Sequence, residues 1–314
     1  MKHLIFLSFV FSFSHLFSQS EINVNPFLPE IISEFPNVRD IAITPSNNEV
    51  VFSAQSVMGE LSALITVKKT QNAWSEPKIV SFSGQFFDIE PFFSEDGLTL
   101  YFASNRPLND TSNTSKDFDI WYVNRASENS EWSEPINLGA PINTEMDEFY
   151  PVITATKNIY FTLDNKALKR KDDIYVSEFI NGNYTTPKAL SDQINSEGYE
   201  FNAFISNDES FIIYTCYNRP DGFGSGDLYM SHKMDNGQWS LSKNMGELVN
   251  STKMDYCPFV NPSSQKLYFT SKRNSTPSSI EKKLTIDDFQ SLLHSYSNGL
   301  SRLYSIPFTD SKKY

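Results

Sequence analysis

From about residue 36 onward, short apolar runs that alternate with polar positions follow one another, each bounded by turn residues. Runs this short with period-two alternation predict half-buried strands. In one stretch, Ile89 to Phe93 predicts a first strand, and Ser94-Glu95-Asp96-Gly97 a turn in which Gly97 supplies positive φ. Thr99 to Ala103 predicts a second strand, and a polar loop from Asn105 to Lys116 leads to a third, Asp119-Ile120-Trp121-Tyr122-Val123. A fourth begins near Trp132-Ser133-Glu134-Pro135 and runs through Ile136-Asn137-Leu138-Gly139.

This four-strand unit recurs about every 55 residues, the mark of an array whose units cannot bury their apolar faces alone. Asp119-Ile120-Trp121 returns 54 residues later as Asp173-Ile174-Tyr175, and after another 54 as Asp227-Leu228-Tyr229. Trp74, Trp132 and Trp239 recur on the fourth strand, with Tyr184 in the third unit, and are expected to pack between units. Five starts, near Asp40, Glu90, Tyr150, Asn202 and Cys257, predict an all-β, five-bladed β-propeller of four-stranded blades. The blades are expected over about 36–82, 88–140, 147–192, 199–248 and 255–308, forming a single domain. A sixth blade needs another unit before Pro36, and Ser20 to Phe35 is too short to hold one.

The last unit departs from the pattern. Between its second and third strands, Asn274 to Asn298 carries a helical signature: Thr285 with Asp288 resembles a capping box, and Ile286, Phe289, Leu292, Leu293 and Tyr296 fall at helical spacing. This helix is expected to pack on or beside one face and to be a contact site for a partner. The unit then ends before a full fourth strand. Residues 27–32 (Phe27 to Ile32) are expected to fill that place and close the ring, which removes the exposed edges of a linear stack.

The charge balance argues against a basic footprint: 26 Lys+Arg against 38 Asp+Glu give a net charge of −12, poorly matched to nucleic acid or anionic lipid. Met1-Lys2-His3 followed by the apolar run Leu4 to Phe17 and small residues at Ser18 and Ser20 predicts a cleaved export signal over 1–20. That run is too short for a membrane anchor, no later stretch spans a bilayer, and no cysteine near the cut marks a lipoprotein. A periplasmic or secreted, monomeric protein is expected. Cys216 and Cys257 leave two readings open, a disulfide or two small buried hydrophobes.

The repeats resemble the TolB-type, WD-repeat-like propeller family. Glu90-Pro91, Ser94-Glu95-Asp96-Gly97, Ser104-Asn105-Arg106 and Asp119-Ile120-Trp121 carry its pattern best, and Asn218-Arg219-Pro220-Asp221-Gly222 with Gly226-Asp227-Leu228-Tyr229 nearly as well. The likeness covers Pro36 to about Ile306 and departs at Pro45, Ala203 and Arg302. It implies a periplasmic or secreted recognition scaffold; because the repeats consume the chain, no appended peptidoglycan-binding or peptidase domain is expected. Fold alone does not assign function.

In a propeller the first strand begins and the second ends at the same face. Asp88, Glu90, Glu148, Glu200 and Asp255 are therefore expected to gather there with Arg106, Arg219 and Arg273 as a polar-ligand ring around the opening. The structural alternative is that they pair between blades and lock the ring. Paired carboxylates also serve glycosidases, but acids at equivalent places in nearly every blade fit a repeat-structural role better. Gly222-Phe223-Gly224-Ser225-Gly226 has its serine one place late for a nucleophile elbow, and Ser94 to Leu100 lacks the sialidase turn pattern. His232 and His294 lack ligand spacing, and Asp221 to Asp227 lacks the alternating acids of a calcium loop, so neither metal nor cofactor is expected. The expected function is non-catalytic recognition of a protein, or of an envelope glycan or peptide, on the top face. A glycan-active hydrolase is the competing class.

Overall fold

The computed structural model describes residues 23–71, 73–108, 114–165 and 172–310. The predicted export signal lies outside these residues. Five antiparallel sheets of four or five strands follow one another along the described residues, and the protein is a five-bladed β-propeller. The first blade comprises Asn37–Ile43, Glu49–Gln55 and Ser62–Thr70, with Lys78–Ile79 and Ala73–Trp74 on its outer edge. The second runs through Asp88–Phe93, Thr99–Ser104, Asp119–Asn124 and Ile136–Asn137. The third comprises Asp147–Ile153, Ile159–Asp164, Asp172–Ser177 and Lys188–Ala189. The fourth comprises Glu200–Ile205, Phe211–Tyr217, Gly226–His232 and Lys243–Asn244.

The fifth blade, Asp255–Asn261, Lys266–Ser271 and Arg302–Pro307, is completed by Asn25–Pro26 from the other end of the chain. The closing strand thus precedes the segment expected for it. Leu28 adopts a left-handed conformation and Pro29–Ile32 forms a helical turn, which seats Ile32 fully inside the core. An apolar run of this length reads equally as strand or helix, and here Pro at the first helical turn decides it. Phe27 still joins the closure, because its N–H donates to the Leu303 carbonyl at 3.0 Å.

Each innermost strand carries the same irregularity. Asp40, Glu90, Tyr150, Asn202 and Cys257, one per blade, have φ between 49° and 60°. At each of them the pairing with the second strand slips by one residue, a β-bulge with a left-handed first residue. In three blades proline follows (Pro91, Pro151, Pro258), at a position the bulge removes from the hydrogen-bonded ladder.

The helix Ile286–Leu293 forms with the predicted capping box, since Thr285 Oγ1 accepts from Asp288 N and the Asp288 carboxylate accepts from Thr285 N. It does not pack on a face as expected. None of its residues is buried, and Ile286, Phe289 and Leu293 are 67%, 49% and 53% exposed. The insertion is held at its base: Ser275 N–H donates to Ser297 O, and the Tyr296 hydroxyl donates to Leu303 O at 2.6 Å and Phe27 O at 3.1 Å. Among the described residues no helix is long and apolar enough to cross a membrane.

Two melting experiments separate the exposed helix from its base. Deleting residues 277–293 while keeping Tyr296 is expected to leave Tm within about 3 °C of the parent. Tyr296→Phe removes the donor that pins the closing strand and is expected to cost about 1 kcal/mol, a drop of roughly 2–4 °C. A larger loss on deletion than on the single substitution would make the helix part of the core.

Candidate functional site

The left-handed residues bring five different side chains to the axis, where Arg39 joins them. Arg39 Nε donates to Asp40 Oδ1 at 2.9 Å and Nη2 to Glu90 Oε1 at 2.6 Å, with the Cys257 sulfur 3.4 Å away. Asn202 Nδ2 donates to Glu90 Oε1 at 2.9 Å, and the Cys257 thiol donates to Asn202 Oδ1 at 3.3 Å. Above this girdle is a mouth of about 200 Å³ walled by Phe149, Phe201, Tyr217 and Tyr256, with Arg39, Glu90 and Asn202 at its floor. On the other side is an apolar cup of about 470 Å³ lined by Phe92, Phe204 and Phe259 among others.

The bulge amides explain the girdle's construction. Each needs an acceptor, because a left-handed residue has left the ladder. Asp40 N–H donates to Thr270 Oγ1 of the fifth blade, Glu90 N–H to Ser53 Oγ of the first, and Asn202 N–H to Thr162 Oγ1 of the third. All three hydroxyls occupy one repeat position on the second strand of the preceding blade. In the second blade that position is Ala103, which has no hydroxyl. Glu90 supplies the acceptor instead: Tyr150 N–H donates to Glu90 Oε2 at 2.7 Å. Both oxygens of this carboxylate are therefore engaged by protein donors.

Burial pushes the Glu90 carboxyl up to about 7, against the pull of Arg39 and with repulsion from Asp40. Two carboxylates share one guanidinium here, so the cation cannot fully offset the loss of water around both. Glu148 is pushed up to about 7 as well, chiefly by burial, despite hydrogen bonds from Thr144.

Of the eight residues expected in a polar ring, only Glu90 reaches the axis. The other carboxylates sit two residues earlier in their strands and close clips within their own blades rather than between blades. Asp88 pairs with Arg106 at 2.7 Å, Glu200 with Arg219 at 3.1 Å and Asp255 with Arg273 at 3.1 Å. Each arginine also holds a carbonyl of the crossover from the preceding blade, at Phe82, Ile194 and Val249 respectively. Each lies over rings of its own second and third strands: Arg106 over Phe102 and Trp121, Arg219 over Tyr214 and Tyr229, Arg273 over Phe269 and Tyr304. A crossover hydroxyl completes the clip, Ser83 to Asp88, Ser196 to Glu200 and Ser251 to Asp255. Glu148 accepts from Thr144 in the same way.

Both cysteines are free and buried. Cys257 belongs to the girdle, whereas Cys216 takes the clip position that Ser104 and Ser271 occupy elsewhere, 2.9 Å from Arg219 Nε. The Asp221 to Asp227 loop serves its turn: Asp227 accepts from Phe223 N and Gly224 N, and Asp221 from the Tyr229 hydroxyl. Trp132 joins a cluster with Ala42, Val51 and Leu64 of the first blade, an inter-blade contact as expected.

The girdle residues Asp40, Tyr150, Asn202 and Cys257 mark blade starts in the sequence, but with Arg39 they escape the repeat-based reading of the site. The available signal is chemical variety, since a repeat position filled in turn by Asp, Glu, Tyr, Asn and Cys does not serve packing alone. The crossover asparagines escape that reading too. Asn143, Asn195 and Asn250 pair their amides with the third-strand backbone at Ile120, Ile174 and Leu228, and each stands immediately before the crossover Ser or Thr.

Comparison with known structures finds chains of similar fold at low sequence identity. The catalytic domain of a GH62 α-L-arabinofuranosidase from Coprinopsis cinerea aligns over 93% of this chain and 96% of its own, at 9% identity and a TM-score of 0.52. An α-L-arabinofuranosidase from Lactobacillus brevis aligns over 90% and 95%, at 15% identity and a TM-score of 0.50. TolB from Acinetobacter baumannii aligns over 86% of this chain at 14% identity and a TM-score of 0.48; the alignment spans 54% of that protein, about half its length. At these identities the likeness is one of fold. No family profile and no curated protein sequence matches the chain.

If Glu90 stands in for a missing hydroxyl, Glu90→Ala is expected to cost roughly 1–3 kcal/mol by orphaning a buried amide, and adding Ala103→Ser to recover about 1 kcal/mol of it. Denaturant melts of the four forms of the cycle measure this directly. Stability should also depend on pH. Glu90 and Glu148 bind their protons more tightly when folded, so their contribution is complete below the ordinary value of 4.5 and is lost as pH rises through about 7. Tm is expected to fall across that window, and the fall to be smaller in Glu90→Gln. Glu209, whose burial is more than offset by hydrogen bonds from Thr156, Tyr160 and Lys233, is held down to about 2, so its contribution is complete above 4.5 and is lost only as pH falls toward 2.

Proposed function

We propose that the chain is an exported recognition scaffold without catalysis of its own, which binds a protein, or an envelope glycan or peptide, on its top face. The observation that carries this reading is the engagement of Glu90. Its two oxygens accept from Arg39, Asn202 and the Tyr150 amide, and its position compensates for Ala103 in the repeat. A carboxylate so occupied holds blades together. A general acid or a nucleophile needs an oxygen open to substrate.

The binding surface on this reading combines two features at the end of the disc where the clips lie. One is the aromatic-walled mouth over Arg39. The other is the exposed apolar side of the helix Ile286–Leu293, which leaves the fifth blade just after Arg273 at the same end. Large apolar side chains exposed together commonly mark interaction sites. The clip residues Asp88, Glu148, Glu200, Asp255, Arg106, Arg219 and Arg273 support this face from below rather than meet the ligand.

A glycan-active hydrolase remains the second reading, and one observation favours it: Glu90 is raised to about 7 beside Asp40, a pairing of the kind a general acid and an ionised partner require. Two assays divide the readings. The chain is expected to release nothing from an aryl α-L-arabinofuranoside or from envelope polysaccharide. Turnover by the parent that is lost in Glu90→Gln would overturn the scaffold reading. In parallel, immobilised parent chain is expected to retain a specific component of an envelope extract. The form lacking residues 277–293, or Arg39→Ala, is expected to lose it by at least about tenfold in affinity.

A further inference from the structure

The first blade lacks the clip that the second, fourth and fifth blades share and, unlike the third blade, which keeps the acid as Glu148, it has lost the clip in a concerted way. Superposing the registers of the first and second blades matches Val38 to Asp88, Ala54 to Ser104 and Ser56 to Arg106. On the third and fourth strands, Ala63 stands for Asp119, Ile65 for Trp121 and Ile79 for Asn137. The ion pair, its hydroxyl partner and the acid of the third strand have all been replaced by apolar or smaller side chains. Phe35 meets the Phe52 ring edge-on at 5.8 Å, where Arg106 lies over Phe102. The rest of the space is open as a cavity of about 840 Å³ whose walls include Phe35, Ala54, Leu61, Ile65, Ile79 and Phe86.

We infer that this cavity is a binding site for an uncharged, largely apolar small molecule bearing an aromatic ring. The equivalent space in the second, fourth and fifth blades is filled by a planar guanidinium lying over rings, 5.0 Å, 4.6 Å and 4.7 Å from the nearest ring centre. A planar group therefore suits the geometry. The first blade has removed the clip carboxylates, Val38 and Ala63 standing where Asp88 and Asp119 stand, and the one carboxylate among the lining residues, Glu60, is exposed at the rim and accepts from the Ser56 hydroxyl, so the group the cavity takes is neutral. The volume lies in the range of small-molecule pockets, which are mostly apolar with a few polar groups at the rim. Gln55, Asn105 and Ser115 supply those groups. The site is separate from the axial mouth and from the helix of the fifth blade, and its occupancy does not depend on the scaffold reading.

The test uses the neutral fluorophore N-phenyl-1-naphthylamine, titrated into the whole mature chain. The parent is expected to bind it saturably. Val38→Asp/Ala54→Ser/Ser56→Arg rebuilds the clip and is expected to weaken binding about tenfold or more by seating an arginine in the cavity. Ile79→Asn, a half-exposed change to the residue the second blade carries, is expected to weaken binding several-fold, and it decides the matter if the triple variant does not fold. The form lacking residues 277–293 is expected to bind as the parent does. No saturable binding by the parent, unchanged affinity in the folded cavity variants, or loss of binding with the helix would each overturn the inference.

Discussion

A left-handed residue in the innermost strand of each blade turns its amide away from its own sheet, and the construction of the axis follows from the need to satisfy it. A buried amide left without an acceptor costs on the order of 1–3 kcal/mol, and a left-handed non-glycine residue costs a similar amount. The hydroxyls of Thr270, Ser53 and Thr162 meet that demand from the blade before, so the same bonds that relieve the strain also join neighbouring blades. Where the hydroxyl is missing, at Ala103, a carboxylate has moved in, and a carboxylate in so dry a place requires Arg39 and Asn202 around it. The most chemically suggestive group in the protein thus has its origin in a packing requirement.

The acids form two layers with different work. The clips lie two residues before the axis, tie each crossover to its blade, and are buried. The girdle crosses between blades. Because every blade except the first repeats the clip acid, its role is set by the repeat, and departures from it carry more information than its occurrences. Val38 in the first blade and the cysteine at 216 are such departures. The first opens a cavity, and the second substitutes sulfur for oxygen against the same arginine.

Much of the fold is legible in the sequence because strand periodicity and aromatic recurrence are local signals that survive without alignment. The blade starts near Asp40, Glu90, Tyr150, Asn202 and Cys257 coincide with the left-handed residues themselves. The candidate site is less legible for a geometric reason. Asp88 and Glu90 lie two apart, which ordinary pleating would place on one side of a strand, but the bulge that begins at Glu90 leaves Asp88 in the clip and turns Glu90 to the axis. Nothing in the spacing announces a bulge except the proline that follows it. The closing strand falls outside the expected segment because residues 27–32 are apolar enough for either element, and the backbone of Leu28 turns them into a helical turn. Periodicity identifies the helix at Ile286–Leu293 but does not say that its apolar side remains uncovered.

The closure by Asn25–Pro26 against Tyr304 and Ser305 has a kinetic side. The fifth blade joins strands far apart in the sequence, so synthesis must reach Arg302–Pro307 before Asn25–Pro26 can take its place. Contacts that join distant parts of a chain form slowly, since a long loop must be ordered before they give anything back. Until that moment the strand Arg302–Pro307 presents an unpaired edge, and the Tyr296 hydroxyl, which grips both Phe27 and Leu303, acts as a latch that engages only when the ring is whole.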